Sequence, residues 1–173
     1  WARLAQRYGH EVRLMPPVYV KAYVKRNKTD AHDAAAICEA LSRPTMRFVP
    51  VKSEADQALI MLHRTRAAFV AKRTAAANQL RAAFAEVGIV MPTGARGLAD
   101  LLALIETEGT AFTEQPAALQ LVLGELARHW RSLDAAVRRM DREILASLRA
   151  DGRAKRLTGV PGIGPIGASA IAA

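Results

Sequence analysis

The sequence predicts a mostly α-helical chain in three parts. The end of an α/β unit comes first (1–52), a long antiparallel coiled-coil arm second (53–150), and a helix-hairpin-helix-like segment last (151–173). Three observations carry this expectation. Apolar residues step by threes and fours along two long stretches, the period of a helix that buries one face. A helix, a glycine and an alternating segment succeed one another in the first fifteen residues, the cadence of an α/β unit. A Gly-Ile-Gly turn then separates two short apolar stretches near the end of the chain.

Taken in order, Trp1, Leu4, Ala5 and Tyr8 form the end of an amphipathic helix, with Gly9 as its stop. Glu11 to Met15 alternates like a short strand and is stopped by Pro16-Pro17. Val18 to Val24 is a short helix or turn. A helix is expected over about 30–42, capped by Thr29 or Asp30 and ended before Pro44. Its apolar positions Ala34, Ile37, Cys38 and Leu41 are spaced to face a core, which makes Cys38 a buried, inert thiol. Met46 to Val51 is extended.

From Ser53 the character changes. Ser53 and Asp56 resemble a capping box, and an Ala-rich helix follows to about Val87. Leu59, Leu62, Phe69, Ala76, Leu80, Phe84 and Val87 mark its apolar stripe, while Arg64, Arg66, Lys72, Arg73 and Arg81 crowd its other faces. A shorter helix is expected over about 97–107. Pro116 opens a second long helix, whose seam runs Leu119, Val122, Leu126, Trp130, Leu133, Val137, Met140, Ile144, Leu148. Such a heptad-like seam predicts antiparallel packing on the 53–87 helix or on another subunit, and hence a homo-oligomer.

Composition bounds the partners. Lys and Arg outnumber Asp and Glu by 25 to 16, a formal net charge of +9. That excess favours polyanions such as nucleic acid over a merely solvated basic surface. A single cysteine excludes an intramolecular disulfide and argues against a cysteine-based zinc site. No run resembles a signal peptide or reaches the length of a membrane span, so no membrane partner and a cytoplasmic location are expected. The chain starts at Trp1 rather than Met, and its last residues, Ala170 to Ala173, run apolar to the end, which reads as a fragment cut inside secondary structure at both ends.

Two constellations carry candidate chemistry. Asp30 and Asp33 lie three apart at the first turn of a helix, preceded by the basic residues Lys21, Lys25, Arg26 and Lys28. A hard cation such as Mg²⁺ takes one or two carboxylates plus phosphate oxygens, and phosphoryl transfer uses acids converging from several elements. Spacing alone favours two acids placed at the positive end of a helix dipole over metal ligands, and that reading stays open. His32 points away from both acids, and His10, His63 and His129 stand alone. The second constellation is Val160-Pro161-Gly162-Ile163-Gly164, with Lys155 and Arg156 just upstream. Turns of this kind offer backbone N–H groups to a phosphate at the next helix N-terminus. The same small residues also serve a close helix–helix turn. Ser169, among small residues in a helical stretch, is a packing residue.

The order of these motifs carries a family resemblance. Gly9-His10-Glu11-Val12, Tyr19-Val20-Lys21, Lys28-Thr29-Asp30-Ala31-His32-Asp33-Ala34 and, after a long spacer, Leu157-Thr158-Gly159-Val160-Pro161-Gly162-Ile163-Gly164-Pro165 resemble the DEDD-type transposases of the insertion sequence 110 (116/902) group. The resemblance implies a RuvC-like (RNase H-fold) domain whose four acids bind Mg²⁺, with Asp30 and Asp33 matching the third and fourth. It implies that the first Asp and the Glu lie upstream of Trp1, and that a nucleophilic serine lies downstream of Ala173. It further implies action on DNA in a bacterial cytoplasm, and a structured guide RNA. A non-catalytic nucleic-acid scaffold and a coiled-coil oligomerisation module are the competing readings of the same residues.

Overall fold

The computed structural model describes residues 1–25 and 29–173, and among them the chain is mostly helical. It divides into two compact units, Trp1–Glu54 and Ala55–Ala173.

In the first unit, α1 (Ala2–Arg7), α2 (Pro17–Lys21) and α3 (Asp30–Leu41) are short. Pro17 starts α2 where its missing N–H is not needed. The expected strand at Glu11–Met15 does not form among the described residues. Only an isolated antiparallel bridge joins Leu14 to Val49, with the Val49 N–H donating to the Leu14 carbonyl at 2.8 Å. A single bridge lacks the neighbouring ladder that makes a strand stable. Arg3 and Arg7 tie α1 to the end of the unit, Arg3 donating to the Lys52 carbonyl at 2.9 Å and Arg7 to Glu54 at 3.0 Å.

The inward face of α3 differs from the expected one. Ala36 and Ala40 are buried, whereas Ile37, Cys38 and Leu41 are exposed. The small residues allow α3 to approach α2 closely, and that choice turns the larger side chains outward. Cys38 is thus an accessible thiol, contrary to its apolar sequence setting.

The second unit holds α4 (Glu54–Ala85, from Ala55 onward), α5 (Ala95–Glu106), α6 (Thr110–Thr113), α7 (Ala117–Ala150), α8 (Gly152–Leu157) and α9 (Pro165–Ala172). Its two long helices run antiparallel in a fixed register. Arg66 of α4 pairs with Asp141 of α7, and two turns on, Arg73 pairs with Asp134 at 2.7 Å. The same register sets Leu80 opposite Ala127 and Phe84 opposite Leu123, all four in one core cluster. Leu98, Leu101 and Leu102 of α5 close that cluster. Gly97 brings α5 against the preceding loop, since a side chain there would collide with the Pro92 carbonyl.

Two expected features shift. Val122 is exposed and Leu123 takes its place in the core, because a straight helix drifts from a strict heptad. On α4, Arg66, Arg73 and Arg81 do not sit on a free face. The first two meet aspartates of α7, and Arg81 donates to the Gly94 carbonyl at 2.5 Å. Asp134 is only 9 % exposed, a burial made tolerable by two partners, Arg73 and Arg138, each at 2.7 Å. At the other end of α7, α8 and α9 fold back on it and on each other.

Candidate metal and phosphate sites

Thr29 builds the first site. It is extended (φ −137°, ψ 153°), and its hydroxyl oxygen accepts the His32 N–H at 3.2 Å, so it is the cap of α3. Because Thr29 performs that task, Asp30 and Asp33 are left in the first turn of the helix. Asp33 continues the buried Ala36–Ala40 stripe toward the helix start and is half-buried, while Asp30 is exposed. Among the described residues neither carboxylate accepts a hydrogen bond or forms an ion pair.

Asp33 also lines an open cavity of about 800 Å³ with Leu14, Val20, Lys21, Val24 and Ile37. Two oxygen donors at the positive end of a helix, one beside a lysine, suit a hard divalent cation approached by a phosphate. They are an incomplete set: among the described residues no third His, Cys, Asp or Glu joins them. Lys25 is exposed nearby in sequence, whereas Arg26 and Lys28 lie outside the described residues.

The second site is the turn between α8 and α9. Asp151 caps α8, accepting the Arg153 N–H at 2.7 Å; that backbone bond is the main cause holding its carboxyl below the usual range. The last turn of α8 carries Lys155 and Arg156, both exposed. The chain then turns through Val160 to Gly164, with Gly162 at φ +87°, a conformation that favours glycine. Ile163 is half-buried and its N–H donates to the Val160 carbonyl at 3.1 Å. Gly164 is the N-cap of α9 ahead of Pro165, and no side chain caps the helix start with a hydrogen bond. Amide donors at a helix start are the kind of group that suits an anion.

One contact escaped the sequence. His63, expected to stand alone, places Nε2 3.1 Å from the Ser169 hydroxyl oxygen, joining α4 to α9 across 106 residues. Ser169 is buried against α9's neighbours, as a packing residue would be. Burial, and secondarily the Arg66 guanidinium, lower the His63 pKa from its usual 6.5. The folded state therefore favours neutral His63, and the unfolded chain takes up a proton first on acidification. This contribution to stability is full above about pH 6.5 and is lost as pH falls below it. Thermal melts of the chain between pH 7.5 and 5.5 should show a drop in Tm that is smaller in His63→Gln. Identical pH profiles would remove His63 from the account.

Comparisons with known proteins find transposases. A family model described as a transposase of the DEDD IS110 type matches residues 1–89. A Pseudomonas aeruginosa protein named "Probable family 20 transposase" is 48% identical over 177 residues, covering 100% of this chain and 51% of that protein. The transposase for insertion sequence element IS1328 of Yersinia enterocolitica is 41% identical, over 99% of this chain and 50% of that protein. The transposase for insertion sequence element IS1111A of Coxiella burnetii is 34% identical, over 95% of this chain and 44% of that protein. The chain thus spans about half the length of the curated relatives it matches. No solved structure matches it. Among the described residues, no helix is long and apolar enough to cross a membrane.

Proposed function

The chain belongs to the DEDD transposase family of IS110 elements, and on that premise we propose that it is the part of an insertion-sequence recombinase that supplies two of the four metal-binding acids. The observation that carries this reading is the pair Asp30 and Asp33, which form no hydrogen bond or ion pair among the described residues in the first turn of α3 while Thr29 does the capping. Asp30 and Asp33 would hold Mg²⁺ together with an Asp and a Glu from elsewhere in the full-length protein. A bound ion there polarises phosphate oxygens and stabilises developing negative charge. Lys21 and Lys25 draw the DNA backbone toward the acids, and the half-buried Asp33 keeps a fixed direction.

In this reading residues 1–52 end a RuvC-like domain, whose sheet would cover the exposed Leu14, Ile37 and Leu41. Residues 53–150 are a coiled-coil arm, able to pair with a second copy. Residues 151–173 open the domain carrying the nucleophilic serine, and the Gly162-Ile163-Gly164 turn with Lys155 and Arg156 grips a phosphate. DNA is the substrate, and a guide RNA that selects the site is part of the same proposal. The reaction then needs groups that these 173 residues do not contain. Incubated with duplex DNA and Mg²⁺, this chain alone should give no strand-cleavage turnover, while the full-length protein recombines. Turnover by the chain alone would show a complete site of another kind.

A further inference from the structure

The charge on the second unit is distributed unevenly between its long helices. On α4 the cations Arg66 and Arg73 are consumed by Asp141 and Asp134, and its exposed residues are largely small or neutral, with Arg64 and Lys72 as the exposed cations. On α7, Arg128, Arg131, Arg138, Arg139, Arg142 and Arg149 fall within an arc of about 100° around the helix axis, and no acid of α7 shares that arc. The first three pair with Glu125, Glu106 and Asp134. Arg139, Arg142 and Arg149 are exposed, and among the described residues they form no ion pair.

Arg139 and Arg142 are like charges one turn apart, an arrangement that weakens a helix unless an anion lies across both. The three span about 15 Å along α7, at 1.5 Å per residue. Duplex nucleic acid presents one phosphate charge per about 1.7 Å of its own axis, so each guanidinium can meet a phosphate. Arginine also suits this task, since its planar fork donates to two phosphate oxygens at once. The stripe ends where α7 gives way to α8, whose Lys155 and Arg156 carry the same charge into the Gly162 turn.

We propose that Arg139, Arg142 and Arg149 form a sequence-independent surface that holds the phosphate backbone of duplex DNA along α7, a surface made of residues other than the candidate acids. The class of partner rests on the transposase reading. The test measures binding, not strand chemistry, so either proposal can fail alone. Binding of the full-length protein to a 30-base-pair DNA duplex and to an RNA hairpin is measured across a salt series. The triple variant Arg139→Gln/Arg142→Gln/Arg149→Gln should reduce the slope of log affinity against log salt by about 2 to 3. A control, Arg64→Gln/Lys72→Gln/Arg96→Gln, removes the same charge from exposed positions of α4 and α5 and should leave the slope near wild type. A reduction with the DNA duplex supports the surface, whereas a reduction confined to the RNA hairpin overturns DNA as its occupant. Absence of binding, or a change no greater than the control's, overturns it. All six residues are exposed, so unchanged Tm values verify that each variant is folded.

Discussion

Asp30→Ala and Asp33→Ala should each abolish recombination by the full-length protein while leaving it folded. Loss of a hydrogen-bonding partner one layer out from a metal commonly costs about 10–100-fold in affinity or activity, and loss of a direct carboxylate ligand should exceed that. The structural cost is small by comparison. Neither carboxylate accepts a hydrogen bond among the described residues, and removing an acid from a helix start forfeits about 0.3–1 kcal/mol of dipole interaction. Thr29→Ala supplies the contrast. It removes the hydroxyl that accepts the His32 N–H, costs about 1 kcal/mol of stability, and should retain most of the activity. A recombination assay beside melting curves separates the two effects. If either aspartate variant recombines like wild type, that residue is only a helix-start acid.

Phe84→Ala should destabilise the second unit by about 3–5 kcal/mol, the largest stability effect expected of a single change here. Phe84 is 0% exposed and lies in the cluster that joins α4, α5 and α7. Truncation leaves a cavity that the paired helices cannot close without shifting the register set by Arg66–Asp141 and Arg73–Asp134. Val122→Ala is the matched control, since Val122 is 48% exposed although it lies on the apolar seam read from the sequence. It should cost well under 1 kcal/mol. Urea unfolding of the chain measures both, and equal losses would mean that the sequence seam, not the cluster, is the core.

The long helices were legible because their signal is local and repeated. Leu80, Phe84, Leu133, Val137 and Ile144 all lie on the stripes that the sequence displays, and all are buried. Thr29, Asp30 and Asp33 were legible for the same reason, a cap and two acids within five residues. The misreadings have physical causes. Leu123 displaced Val122 because a heptad template drifts on a straight helix. On α3 hydrophobicity singled out Ile37 and Leu41, but close packing on α2 selected Ala36 and Ala40. The Glu11–Met15 alternation found only a single bridge to Val49, and strand pairing depends on chain far away. His63–Ser169 and Arg73–Asp134 link residues 106 and 61 apart, separations at which no periodicity can point.

Mn²⁺ binding tests most directly whether Asp30 and Asp33 are metal ligands. Titration of the full-length protein, followed by electron paramagnetic resonance, should show a bound ion whose affinity falls by more than about tenfold in Asp30→Ala and in Asp33→Ala. Thr29→Ala should bind as wild type does. Equal Mn²⁺ affinity in the wild type and both aspartate variants would contradict the account and leave the two acids as companions of the Thr29 cap.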